Sequence, residues 1–278
     1  MTPSRTTRVK AFAKINLWLR IKGVRRDGYH ELRTAFQAIS LFDTLTFRAR
    51  PGPFELRCDD RACPVDETNL VARAAALAWK ATHRDGEPGV AVHLVKAIPM
   101  QAGLGGGSSD AAAALRVFAS WWQLRSDVVR GIAERLGADV PFFLVGGRAL
   151  GFGRGDRVVY FGDLPRTHVV VVVPPFGVST ADAYGWWDRD RGRLTKRGSN
   201  DLEPSVARRR PAIARIVDDL LRLGASEAAM SGSGSAVFGL FKTAAAARRA
   251  ATRVRKGKRR VEIARTLTRA ECQALAPK

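Results

Sequence analysis

Apolar residues recur along this chain at two periods, and the switches between them lay out its elements. Over residues 9–21 (VKAFAKINLWLRI), Ile15, Leu17, Leu19 and Ile21 fall at alternate positions, the pattern of a strand with one buried face. Lys14, Asn16, Trp18 and Arg20 share its other face. Residues 34–47 hold two further apolar stretches around Leu41, Phe42 and Asp43, which read as further strands. Alternation returns over 89–98, and residues 236–241 form another strand. Residues 168–173 are a β-branched run of the kind found in a central strand covered on both faces. Alanine-rich or amphipathic stretches predict helices over 69–79, 110–122, 127–136, 205–223 and 243–255, with Gly137 suited to stop the third. Residues 51–68 collect prolines and charges and read as a loop, while 146–156 (GGRALGFGRGD) reads as a glycine-rich hairpin. The composition changes near residue 160, which predicts an α/β chain of two domains, 1–160 and 161–278.

The densest chemical signal lies where the 89–98 strand runs into the 110–122 helix. Pro99, Met100, Gln101 and Ala102 lead into Gly103, Leu104, Gly105, Gly106 and Gly107, followed by Ser108 and Ser109. Glycines let backbone amides approach a ligand, serines make good N-caps, and a helix start presents free N–H groups and a positive dipole end. Such a loop suits phosphate, and four glycines within five positions exceed what an ordinary strand-to-helix turn needs. It is neither a Walker loop, since no Gly-Lys-Ser/Thr closes it, nor a dinucleotide fingerprint, since Ser108 stands where the third glycine belongs.

Bulk properties narrow the class. A chain of 278 residues with 46% hydrophobic and 26% charged residues is that of a globular protein with a substantial core. No apolar run approaches the roughly 20 residues of a membrane span. Residues 1–10 lack the apolar segment of a secretory signal, so a cytoplasmic protein is expected. Cys58, Cys63 and Cys272 fit neither a zinc site nor a disulfide framework. The net charge of +21 would suit a polyanion, but no aromatics interleave with the basic clusters. A solvated basic surface that attracts small anionic substrates is the expectation, with nucleic acid not the expected partner.

Other residues carry two readings each. Lys14 on a strand's open face is a solvated charge or a functional ammonium. Asp27-Gly28 signals a turn, after which Tyr29 and His30 are surface rings or a pair that grips a base. Asn69 is an N-cap or a base contact, and Lys96 a solvated charge or a base contact. Asp139 precedes Pro141 in a short break, where it caps the next helix or projects into a cleft. Trp121 and Trp122 read as core, and SGSGS over 231–235 as a tight connection between elements.

The stretch from Pro99 to Ser109 resembles the nucleotide loop of the galactokinase, homoserine kinase, mevalonate kinase and phosphomevalonate kinase superfamily. AKINLWL over 13–19, with RRDGYHEL over 25–32, narrows the resemblance to the 4-diphosphocytidyl-2-C-methyl-D-erythritol kinases. GADVPFF over 137–143, GRGD over 153–156, NDLE over 200–203 and MSGSG over 230–234 continue it; Ser235 departs from the Pro or Thr usual in that family. The resemblance implies a first domain with a left-handed βαβ crossover, a ferredoxin-like second domain and a site in the cleft between them. It implies transfer of the ATP γ-phosphoryl group to the 2-hydroxyl of the cytidylylated methylerythritol, with Asp139 as base and Lys14 as its partner. Asn16 would lie near the reacting hydroxyl, Tyr29, His30 and Tyr184 at the cytosine, and Asn69 and Lys96 at the adenine. Mg²⁺ would share phosphate oxygens with Ser108 or Ser109, and Asp110 is the candidate carboxylate ligand. The expected enzyme is a monomer or homodimer acting on a small molecule. A sister kinase for homoserine or mevalonate would leave DGYH unexplained, and a non-catalytic ATP-binding relative would not need both Lys14 and Asp139.

Overall fold

A computed structural model describes residues 6–163, 165–191 and 198–274. Its frame is one long hairpin, β1 (Thr6–Val24) against β2 (His30–Ala49), turned at Gly28, whose φ of 81° suits glycine. The stretch read as two strands within 34–47 is therefore a single strand. It is long enough to pair twice on its other side. Its later half pairs with β4 (Val90–Val95) and its earlier half with β5 (Arg148–Gly153). Two edges complete the first sheet. β3 (Glu55–Cys58) runs parallel to β4 through the crossover helix α1 (Leu70–Lys80), and β6 (Arg157–Tyr160) forms the predicted hairpin with β5. Helices α2 (Gly106–Trp122), α3 (Ser126–Leu136) and α4 (Val140–Val145) complete this half.

The second sheet is antiparallel with order β10-β7-β9-β8. Its strands are β7 (His168–Val173), β8 (Glu227–Met230), β9 (Val237–Phe241) and β10 (Arg260–Arg265). Between β7 and β8 run α5 (Thr180–Asp190), α6 (Glu203–Arg209) and α7 (Ala212–Arg222); α8 (Ala244–Val254) joins β9 to β10. That is the split βαβ plan of a ferredoxin-like domain, as the resemblance implies. The helix expected over 205–223 is two helices, because Pro211 lacks a donor and Arg210 before it sits at φ −129°, ψ 73°. The last helix, α9 (Arg269–Ala274), returns to the first half, where Leu267 and Cys272 join its core. Among the described residues no helix is long and apolar enough to cross a membrane.

Alternate residues of β1 run through all three apolar cores. Val9 and Ala11 belong to the core of the first sheet and its helices. Ala13, Ile15 and Leu17 meet Val169, Val171 and Phe238 of the second sheet. Leu19 and Ile21 enter the core beneath the second sheet's helices. β7 divides likewise, Val169 and Val171 facing one core and Val170 and Val172 another, which is why its run of valines is unbroken. In the first core, Phe118 stacks on Trp122 with centroids 4.6 Å apart and meets Phe47 edge-on. Phe118 is fully buried, so Phe118→Ala is expected to lower unfolding free energy by about 3–5 kcal/mol in denaturant titrations.

Candidate active site

A single cavity of about 1230 Å³ lies between the two halves and gathers most of the predicted residues. Its floor comes from β1. Lys14 and Asn16 do not lie on a solvated face; both are buried, because Asp139, Phe36, Thr34, the glycine loop and the SGSGS turn close around that side of the strand. Lys14 Nζ donates to Asn16 Oδ1 at 2.6 Å and stands 3.3 Å from Asp139 Oδ2. Asn16 Nδ2 donates to Thr34 Oγ1 at 2.8 Å, so the amide's orientation is set by its neighbours. Asp139 occupies the N-cap position of α4, yet its side chain makes no capping bond. The two readings of Asp139 thus divide: the backbone sits at the cap, while the carboxylate turns to Lys14. The Lys14 side chain is 4% exposed and that of Asp139 32%, so the ammonium is enclosed while the carboxylate opens to the cavity.

The glycine loop forms the adjoining wall, with residues 99–108 all lining the cavity. The helix begins earlier than the serines predict. Gly105, at φ 71°, is the N-cap, and the first backbone bond runs from Ser109 N–H to Gly105 C=O. The amides of Gly106, Gly107 and Ser108 are thereby left without an intrahelical acceptor, and all three residues line the cavity. Opposite, the SGSGS turn closes on the loop. A Cβ on Gly103 would lie 2.1 Å from the Ser231 carbonyl oxygen, and one on Gly232 would lie 3.2 Å from Lys14 Nζ. Only glycine permits the first approach, and the second is tight.

The remaining predicted residues separate. Ser109 is buried, and its hydroxyl donates to the Phe12 carbonyl at 2.7 Å, away from the cavity, so of the two serines Ser108 is the one on the wall. Asn69 is the N-cap of α1: Oδ1 accepts from Val71 N–H at 2.8 Å and Nδ2 donates to the Pro64 carbonyl at 2.6 Å. It does not line the cavity. At the far end of the cavity, His30 stacks on Tyr184 with centroids 4.6 Å apart, and its Nε2 pairs with Asp188 Oδ1 at 3.0 Å. That spacing leaves no slot for a base between the two rings. Tyr29 is 56% exposed, with the Arg154 guanidinium 5.0 Å from its ring centroid. Burial, then the charge of Asp139, raises the Tyr184 phenol, which stays protonated.

These features match known proteins. Residues 69–147 fit the model described as GHMP kinases N terminal domain, and residues 189–259 fit GHMP kinases C terminal. A 4-diphosphocytidyl-2-C-methyl-D-erythritol kinase of Solibacter usitatus is 43% identical, over 87% of this chain and 83% of its own. One of Moorella thermoacetica is 41% identical over 92% and 98%. The chain belongs to this kinase family. A crystal structure of a 4-(cytidine 5'-diphospho)-2C-methyl-D-erythritol kinase superposes with a TM-score of 0.78 at 35% identity, covering 93% of this chain and 99% of the other. The protein is an ATP-dependent kinase of the GHMP type.

Sequence reasoning missed what holds the kinase's loop at its two ends. Asp43, fully buried in β2, accepts the Ala97 and Ile98 amides on Oδ1 and the Lys96 ammonium on Oδ2. Lys96 also reaches Asp110 Oδ2 at 2.8 Å in the first turns of α2, so one ammonium ties the loop's entry to its exit. Lys96 is therefore no solvated charge, and Asp110 lies behind the wall rather than on it. The available signal was Asp43 itself, a carboxylate set in an apolar strand pattern. Ser231 likewise links the halves, donating to the Gly103 carbonyl at 2.9 Å and accepting the Asn16 amide at 3.3 Å. Asn200 holds that turn through the Met230 and Gly232 carbonyls, each at 2.8 Å.

Burial works against the Lys96 ammonium, but Asp110 and Asp43 outweigh it and raise its pKa. Burial also raises the Asp110 carboxyl; Lys96 opposes and Asp43 adds, leaving it at about 8. Asp110 Oδ1 has no hydrogen-bond partner, so nothing on that oxygen offsets its burial. A carboxyl raised in the fold keeps its proton where the unfolded chain, at 3.8, has released it. Its contribution to stability is therefore full below the unfolded value and is lost as pH rises through about 8. Asp110→Asn is expected to flatten that decline, checked by urea unfolding between about pH 5 and about pH 8.

Proposed function

We propose that this kinase transfers the γ-phosphoryl group of ATP to the 2-hydroxyl of 4-diphosphocytidyl-2-C-methyl-D-erythritol, a step of the non-mevalonate route to isoprenoid precursors. One observation carries the reading: the Lys14–Asp139 pair opens onto the same cavity as the free amides at the start of α2. Phosphoryl transfer needs little covalent help from protein; it needs an aligned acceptor and stabilised charge. The Asp139 carboxylate accepts the proton of the attacking hydroxyl. Lys14 favours the ionised form of that carboxylate and steadies charge as it develops. The amides of Gly106, Gly107 and Ser108, with the dipole of α2, hold the polyphosphate.

Magnesium fits this donor set. Mg²⁺ bound with nucleotides keeps several waters and takes few protein oxygens. The cavity wall offers that, with the Ser108 hydroxyl beside the free amides, and no cluster of three or more His, Cys, Asp or Glu among the described residues demands a protein-only cage. Ser108 would hold the ion, which supplies neutralising charge to the β- and γ-phosphate oxygens. Ser109 and Asp110 are engaged elsewhere.

At the acceptor end, Tyr29, His30 and Tyr184 recognise the cytosine. With His30 stacked on Tyr184, the base would lie beside the pair rather than between its rings, and the His30–Asp188 contact supports a fixed orientation of the imidazole. Arg154, on the wall beside Tyr29, suits the acceptor's negative charge. The reading asks only for residues of one chain, in the cytoplasm, as a monomer or homodimer. Asp139→Asn and Lys14→Met are each expected to lower kcat by about two to four orders of magnitude in an ADP-release assay. Near-normal turnover in either variant contradicts the assigned roles.

A further inference from the structure

Behind the glycine loop lies a second cavity, about 20 Å³ in volume, lined by Lys10, Ser109, Ala113, Arg116, Phe143 and Cys272 among others. Ser109, Ala113 and Arg116 follow one another at helical spacing of four and three, so they form one stripe of α2 facing the end of α4. We propose that this cavity binds a single halide ion, held by the Arg116 guanidinium.

The argument begins with charge. Arg116 Nη2 donates to the Phe143 and Leu144 carbonyls at 2.7 and 2.8 Å, at the C-terminal end of α4. Among the described residues its Nε and Nη1 make no hydrogen bond, and no carboxylate forms an ion pair with it. Arg116 is half-buried, and burial lowers its pKa. A cation partly removed from water gains from a counter-charge, and the partial negative end of a six-residue helix supplies only a fraction of one.

No nearby acid completes it. Glu271 is paired with Arg265 and Arg166 and caps α9 through Thr268. Asp163 accepts from the Tyr160 hydroxyl and the Arg269 amide. Cys272 is the remaining ionisable group, and burial raises its thiol although Arg116 opposes. The thiol is therefore neutral, and the cavity is lined by Arg116 and Lys10 with no carboxylate to match them. A void needs about 10–15 Å³ to hold one water-sized guest, so this one admits a single small ion. Lys10 lies on the exposed side of the lining, its ammonium 4.1 Å from the Phe42 ring centroid, and adds a second positive charge.

The site abuts the catalytic cleft through Phe143. The ring of Phe143 lies where a Cβ on Gly105 would come within 2.7 Å of it, and the same point is 3.2 Å from Lys14 Cε. One residue thus lines the halide cavity and backs both the loop and the catalytic lysine. An ion held on Arg116 would fix the end of α4, at whose start stands Asp139.

Bromide soaked into crystals of the wild-type protein tests this directly. The expected result is an anomalous peak in the cavity beside Arg116 Nε and Nη1. Density for water with no anomalous signal overturns the proposal. In solution, chloride is expected to raise Tm by about 2–4 °C over gluconate at equal ionic strength, saturating with concentration. Arg116→Met should abolish that difference; its persistence in the variant, or its absence from the wild type, contradicts the site. Should Arg116→Met fail to fold, the bromide map of the wild type decides alone.

Discussion

The Lys14 ammonium is the constraint on which the cleft depends. It is a full charge placed where β1 is covered from both sides, and such a charge is costly unless its donors are met. Three elements meet it. Asn16 on the same strand accepts one bond, Asp139 at the start of α4 supplies the counter-charge, and the Phe36 ring lies 5.6 Å away. The SGSGS turn then closes over the group, where a side chain at Gly232 would crowd Asn16 and Lys14. The carboxylate that serves as counter-charge is also the more exposed member of the ion pair. On the proposed reading, charge compensation and catalysis ask for the same geometry.

That geometry holds because the two halves are tied at several separate points. Ser231 joins the SGSGS turn to the glycine loop, and the Leu19 amide donates to the Ser199 carbonyl at 2.8 Å beside the Leu19–Asn200 bridge. Arg260 of β10 donates to the Ala97 carbonyl at 2.5 Å, the same residue whose amide Asp43 holds. Gln37 of β2 donates to the Leu267 carbonyl at 2.9 Å, returning the chain's end to the first sheet. A loop fixed at its entry, its exit and its far side holds the α2 amides in place, and on the proposed reading such preorganised donors are what stabilises phosphate charge.

Long periodic elements were legible from sequence because one interaction dominates each. The alternation in β1, the valine run of β7 and the helices with a single apolar face all reflect burial alone. Three short strands without such a pattern were not: β3, β8 and β10 run 4, 4 and 6 residues, and pairing rather than pattern decides them. At the site, glycines, Lys14 and Asp139 stood out as residue types, and family likeness supplied their roles. Two readings turned on tertiary context. Lys14 looked solvated because the residues that enclose it, Asp139 and Gly232 among them, are distant in sequence, and the caps moved because Gly105 could adopt the left-handed backbone that starts α2 ahead of the serines. Asp43 and Ser231 act through partners 54 and 128 residues away, a distance across which local pattern is silent.

The central claim is that one cavity joins a phosphate-holding helix start to a base and a cytosine-recognising end. It is tested most directly by ADP release from Mg-ATP with the cytidylylated methylerythritol offered beside homoserine and mevalonate. The account predicts turnover with the cytidylyl acceptor and none with the other two alcohols. Turnover with homoserine or mevalonate, and none with the cytidylyl compound, would contradict it.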